Sequence, residues 1–162
     1  MSIGVNDVFE FVEENDVKFI RLAFCDLFGV QKNISIMPEE LKGAFENGIP
    51  IDPRVINGFD GVEKNSLLLF PDPSTISVLP WRPQHGRVIR FFCDIKTKDG
   101  NIFWGDSRNF LKSVLDNANK QGFKLKMNLA CEFYLFKTDE NGEPSTIPFD
   151  NGGYFDVSPM DK

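Results

Sequence analysis

One stretch limits what this chain can become more than any other: Asn128-Leu129-Ala130-Cys131-Glu132-Phe133-Tyr134-Leu135-Phe136, an apolar run holding a single carboxylate. Its apolar residues fit a strand over Lys124–Phe136, and a strand alternates its side chains between two faces. Ala130, Glu132, Tyr134 and Phe136 then share one face, and Leu129, Cys131, Phe133 and Leu135 the other. The second face is uniformly apolar and needs a core to cover it. Glu132 points away from that core. An unpaired buried charge is costly, so Glu132 needs a cation, a hydrogen-bond donor or water. Metal ligation and a structural ion pair both satisfy that need, and the ion pair is the commoner use of an acid on a strand.

The rest of the chain alternates strands with short helices. Asn6 is placed to cap a helix with Val8, Phe9 and Val12 at helical spacing. Val17 to Phe24 alternates as a strand, Asp26-Leu27-Phe28-Gly29 supplies a turn, and Lys32 to Ile36 returns as a hairpin partner. Pro38-Glu39-Glu40 opens a second helix with Leu41, Ala44 and Phe45 as its buried stripe, stopped by Asn47-Gly48.

Ile49 to Lys64 holds Pro50, Pro53, Gly58 and Gly61 without periodicity and reads as one long loop, a length often functional. Ser66–Phe70, Ile76–Leu79 and Val88–Ile95 are three further strands, divided by the Pro71-Asp72-Pro73-Ser74 turn and by Arg82–Gly86. Asp26, Asp72 and Asp94 read as turn or strand-end residues. From Ser107, the residues Phe110, Leu111, Val114 and Leu115 recur at three-four spacing in an amphipathic helix ended by Gly122. Thr138–Glu143 is a polar turn, and Gly152 to Val157 reads as a loop entering another strand.

The fold class is therefore α+β. Residues 1–103 form a sheet with a helix packed across one face, and residues 104–162 begin a second, incomplete unit. That second unit has one helix and too few strands to cover both faces of a sheet. A net charge of −6 with no basic stripe argues against nucleic acid or an anionic membrane as partner. The absence of a long apolar span or a signal-peptide layout gives the expectation of a soluble, cytoplasmic chain. Cys25, Cys93 and Cys131 are odd in number and widely spaced, so buried free thiols are expected rather than disulfides or a zinc site. His85, the one histidine, falls in a surface turn and leaves Ser-His-Asp or Cys-His chemistry without a base.

Several stretches then resemble, in order and spacing, the amino-terminal portion of the bacterial-type glutamine synthetase family. They are Val17 to Leu22 with Asp26-Leu27-Phe28-Gly29, Leu69 to Pro73 with Pro80-Trp81, Arg90 to Ile95, and Gly105-Asp106-Ser107-Arg108. They continue as Glu132 to Phe136 and Gly152 to Asp156 with Pro159 and Asp161. The resemblance implies a β-grasp-like amino-terminal domain followed by the start of an α/β catalytic domain. It also implies a glutamate–ammonia ligase that uses ATP with Mg²⁺ or Mn²⁺ and passes through a γ-glutamyl phosphate. Its partners would be glutamate, ammonium and ATP, in a homo-oligomer of stacked rings where a neighbour's β-grasp domain completes each site. Glu132 matches a metal-ligating carboxylate. Asp52 matches an aspartate that reaches the adjacent subunit's site and helps bind and deprotonate ammonium. Tyr154 and Phe155 either shape the site or pack in a core.

The chain departs from that pattern in two places. Ala130 stands where the family strand carries the first of two glutamates. Asp52-Pro53-Arg54-Val55 replaces a common Asp-Gly-Ser-Ser. The family's remaining ligands and its ATP- and glutamate-binding residues have no counterpart in residues 1–162, so this chain alone is expected to hold no cofactor and to be inactive. Three readings stay open: part of a working ligase, a relative with altered amine specificity or no activity, and a β-grasp interaction module.

Overall fold

Helix α1 (Val5–Glu14) begins earlier than an Asn6 cap allows. Gly4 is the cap, and its N–H is taken by the Asp7 carboxylate at 2.7 Å, a reach-back that satisfies one orphan donor of the first turn. The computed structural model describes residues 3–64, 66–81, 85–153 and 155–157.

Strands β1 (Val17–Cys25) and β2 (Gln31–Ile36) form the expected hairpin, with Ile20 opposite Ile36 and Cys25 opposite Gln31. Its turn is built on Asp26, which is completely buried; its Oδ1 accepts from the N–H groups of Phe28 (3.0 Å) and Val30 (2.9 Å). Burial opposes ionisation of Asp26, but those amides and Lys32 outweigh it and hold the carboxyl below its ordinary value. Pro38–Glu40 makes a single 3₁₀ turn leading into α2 (Leu41–Asn47). Gly48 ends α2 at φ +71°, where a Cβ would lie 2.8 Å from the Phe70 ring.

The expected loop from Ile49 to Lys64 is partly ordered. Its first residues are β3 (Ile49–Ile51), paired with β4 (Leu67–Pro71) so that Ile49 faces Leu69. The periodicity was invisible because the strand is three residues long and holds Pro50, tolerated at a sheet edge. A 3₁₀ turn, Pro53–Val55, follows. After the short β5 (Ser77–Val78), the long β6 (Arg87–Thr97) runs parallel to β1 and antiparallel to β4 and β5. The sheet order is β2-β1-β6-β4-β3, with β5 beside β6.

Alternation sets the core. Ile20, Leu22 and Phe24 of β1, Ile89, Phe91, Cys93 and Ile95 of β6, and Leu67 and Leu69 of β4 are buried together with Leu41, Ala44 and Val8 from the helices. An aromatic column joins the layers: Phe9 meets Phe45 edge-on at 6.0 Å, and Phe45 meets Phe91 at 5.8 Å. This is an α+β sheet gripping helices on one face.

Helix α3 (Ser107–Lys120) forms where its periodicity requires it, capped by Asp106. None of its residues is buried, and Phe110, Leu111 and Val114 are all about half exposed or more. Ion pairs fasten it instead. Arg108 bonds Asp72 at 2.5 Å and also Asp94, and Lys112 bonds Asp94 at 2.9 Å. Asp106 is buried and fully used: Oδ2 accepts from the Ile95 N–H at 2.7 Å and Oδ1 from Arg108 and Asn109.

The chain divides into two units, Met1–Lys124 and Leu125–Lys162. The second holds one hairpin, β7 (Phe136–Thr138) and β8 (Pro144–Pro148), around the expected polar turn. The strand expected over Lys124–Phe136 is not formed: residues 124–135 are irregular and exposed, and only Phe136 enters a ladder. A strand exists by hydrogen-bonding to a neighbour, and among the described residues no ladder includes 124–135; the Leu135 carbonyl accepts from the Phe149 N–H at 2.8 Å, next to the β7–β8 hairpin. Cys131 is exposed for the same reason, against the expectation of three buried thiols; Cys93 is buried and Cys25 partly so. Residues 151–153 and 155–157 contain no strand, and Phe155 is 98% exposed. Tyr154, Pro159 and Asp161 lie outside the described residues.

Candidate functional site

Asp52 sits where β3 gives way to the Pro53–Val55 turn, and it caps that turn. Pro53 fixes φ at the first turn position, so the chain folds back within two residues and brings Arg54 onto Asp52. The Arg54 N–H donates to Oδ1 at 3.1 Å, Nε to Oδ1 at 3.0 Å, and Nη2 to Oδ2 at 2.7 Å. Both carboxylate oxygens are therefore engaged by one residue. The bond from the Arg54 side chain is the chief reason that the Asp52 carboxyl is lowered to about 2. The Arg54 guanidinium is raised in turn.

Asp52 also borders a cavity of about 320 Å³ walled by Phe24, Ile34, Ile51 and Ile56, with Lys32 and Asn33 as polar lining. Lys32 Nζ lies 3.4 Å from Asp26 Oδ2, so its charge is balanced from beneath the hairpin turn. Lys64 adds a further positive influence on Asp52 from the following loop. The long loop thus presents a carboxylate that stays ionised at any ordinary pH, beside an apolar hollow, with a guanidinium clamped across it. The spacing in Asp52-Pro53-Arg54 was the available sign of this clamp; reading Asp52 alone passed over Arg54.

Glu132 lies in the irregular part of the second unit and is exposed. The concavity beside it is lined by Cys131, Phe133 and Tyr134 and offers no second carboxylate. Among the described residues, no group of three or more His, Cys, Asp or Glu converges as a metal site. Hard divalent cations take six or more oxygens, with water filling only part of the shell. One exposed carboxylate does not fit that requirement, and Ala130 adds only a methyl. Asp52 belongs to the first unit and Glu132 to the second.

Asp72 and Asp94, read from the sequence as turn or strand-end residues, belong to the α3 clamp. For Asp72, burial opposes ionisation, yet bonds from Ser74 and Arg108 prevail and lower the carboxyl. His85 is exposed in its turn. The Cys93 thiol is pushed up to about 12, chiefly by burial, which makes it inert as a nucleophile. No helix among the described residues is long and apolar enough to cross a membrane.

Two family models match the chain, one after the other: "Glutamine synthetase, beta-Grasp domain" over residues 16–98 and "Glutamine synthetase, catalytic domain" over residues 104–162. The glutamine synthetase of Methanosarcina mazei is 47% identical over 156 residues, covering 96% of this chain and 35% of that protein. That of Methanocaldococcus jannaschii is 40% identical over 169 residues, covering 99% of this chain and 37% of the relative. The chain spans about a third of the length of these curated relatives. Among solved structures, a GmaS/ADP complex aligns with a TM-score of 0.63 at 25% identity, over 75% of this chain and 26% of that one. A cryoEM structure of Plasmodium falciparum glutamine synthetase aligns with a TM-score of 0.66 at 21% identity, over 75% of this chain and 24% of that one; it shows the shared fold alone.

Proposed function

The chain belongs to the glutamine synthetase family, and on that premise we propose that it is the amino-terminal part of an ATP-dependent ligase joining ammonia to the γ-carboxyl of glutamate. The observation that carries this reading is colinearity: both domains match in family order, across the join at Gly105-Asp106-Ser107-Arg108. Asp106 ties the end of strand β6 to the first turn of α3, at the join between the two family matches.

In this reading Asp52 serves the amine. A carboxylate on a sheet-edge loop is positioned to reach outward, into a site completed by another subunit of a homo-oligomer of stacked rings. Held well below neutrality, it is ionised at working pH and provides negative charge for an ammonium ion, then a place for its proton. Glu132 is the candidate divalent-metal ligand to which the resemblance points. The site that would hold Mg²⁺ or Mn²⁺ and ATP takes its other groups from outside residues 1–162. We place the protein in the cytoplasm, where glutamate and ATP are available.

A second reading is favoured by specific residues. Ala130 removes a formal charge from the metal-binding strand, and Arg54 already occupies Asp52. Both point toward a relative with altered amine preference or impaired turnover. The test is phosphate release from ATP by the full-length protein, with glutamate and ammonium each omitted in turn, alongside A130E and D52N. The ligase reading expects ammonium-dependent release that falls roughly a hundredfold in D52N. A gain of about tenfold or more in A130E would instead identify an impaired metal site. Absence of ammonium-dependent release in every form would sink the ligase reading.

A further inference from the structure

On the sheet face opposite α1 and α2, two arginines stand side by side. Arg21 of β1 is in register with Arg90 of the parallel strand β6, while Ile20, Leu22, Ile89 and Phe91 beside them turn into the core. Adjacent strands lie about 4.8 Å apart, so two like charges held at one register repel. Ser77 of β5, the register partner of Arg90, continues the row. The acids of the flanking segments are already engaged: Asp16 by Lys18 at 3.0 Å, Asp26 by Lys32 at 3.4 Å, and Asp72 by Arg108 at 2.5 Å. Asp94, four residues along β6 and roughly 13 Å away, is held by Arg108 and Lys112. Two donors of the row, Arg90 Nε and Ser77 Oγ, are buried without a hydrogen-bond partner among the described residues. A buried donor left unpaired carries its full desolvation cost, so the pair points to an acceptor that the fold itself does not supply.

The Arg90 guanidinium is held in place all the same. It lies over the Phe92 ring at 4.5 Å, a contact that uses its flat face and leaves its hydrogen-bonding edge free. Arg21, Ser77 and Arg90 are each half-buried, so a small ion can reach the row from solvent. Two guanidinium forks beside a hydroxyl suit an oxyanion. A carboxylate brings one negative charge to two cations; a phosphate group brings up to two, with three acceptor oxygens to share among the donors. We propose that Arg21, Arg90 and Ser77 form a binding site for a phosphate group on this face of the β-grasp sheet. The site goes beyond the ligase reading and does not depend on it. None of its residues borders the Asp52 cavity, and β3, which leads to Asp52, lies two strands away from β6.

The test is a titration of inorganic phosphate into residues 1–162 at low ionic strength and about pH 7.5, followed by amide NMR. Saturable shifts are expected at residues 19–23, 77–78 and 88–92, half complete at about 1 mM or below. R21Q and R90Q should each weaken binding about tenfold or more, because each removes a charge-assisted fork, and S77A about threefold. K98Q, at an exposed cation beyond the end of β6, should bind within about twofold of the wild type. R21Q also separates a lost site from a lost fold: with one of two repelling charges gone, its urea midpoint in phosphate-free buffer should equal or exceed the wild-type value. Glycerol 3-phosphate, titrated in parallel, identifies the source. Tighter binding than inorganic phosphate assigns the site to a phosphate ester, and equal or weaker binding assigns it to the free ion. The absence of a saturable shift below about 20 mM with either probe overturns the proposal. So do saturable shifts confined to other residues, or wild-type affinity in both R21Q and R90Q. The ligase reading stands or falls separately, on ammonium-dependent phosphate release by the full-length protein.

Discussion

Val17–Cys25 and Leu125–Phe136 carry the same kind of sequence, apolar residues alternating with single charged or polar ones, and they end in opposite conditions. The first has β2 on one side and β6 on the other, and its Ile20 and Leu22 are completely buried. The second has no ladder before Phe136, and Leu129, Phe133 and Tyr134 are 87%, 72% and 86% exposed. Local pattern states which face wants covering; it does not supply the cover. Strand propensity is largely the energy of packing against cross-strand neighbours, and without them an apolar run stays open. Glu132 inherits that condition: its strand would aim it, and the strand is not assembled by the described residues.

The comparison breaks most readily at the core. Leu22→Ala or Phe91→Ala is expected to cost about 3–5 kcal/mol, read as a lowered urea midpoint, because each vacates a completely buried position. Phe133→Ala in this chain is expected to cost less than about 0.5 kcal/mol, since the ring has nothing to lose. Similar losses from both would mean that the second region is packed after all.

Asp106 is the next test. Asp106→Ala leaves the Ile95 N–H buried without an acceptor and uncaps α3, an expected loss of about 2 kcal/mol by the same unfolding measurement. Arg108→Ala is expected to cost about 1 kcal/mol, discounted for the partial exposure of its ion pairs. It should also loosen α3, seen as faster amide exchange over Ser107–Lys120 than over β6. The pH dependence sharpens this. Asp72 is lowered in the folded state, so its contribution is complete above about 3.9 and fades as pH falls below that value. Arg108→Ala should flatten that acid limb. Least perturbing is thiol labelling: Cys131 should react quickly at pH 7 and Cys93 only on unfolding. Equal rates would contradict the contrast between the regions.

Much of the first region was legible because its pattern and its partners lie in the same stretch of chain. The β1–β2 hairpin, α2 with its Gly48 stop, and the long β6 each appear where periodicity and turn residues place them. What escaped was short or non-local. β3 is too brief for a period, and Asp94 gains its role from Arg108 and Lys112, helix residues beyond the next turn. At the candidate site, Asp52 was identified by resemblance, while its engagement by Arg54 was readable only once Pro53 had folded the turn. Glu132 could be placed on a strand face only by assuming partners that the described residues do not provide.

Hydrogen exchange over the two strand-like stretches of residues 1–162 tests the account most directly. Amides of Val17–Cys25 should be protected by at least a thousandfold, about 4 kcal/mol of local stability, as expected for a strand inside a folded core. Amides of residues 125–135 should exchange within about tenfold of an unstructured peptide. Protection of residues 125–135 comparable to that of Val17–Cys25 would contradict the account: the strand expected over Lys124–Phe136 would be formed, and Glu132 already aimed, within this chain alone.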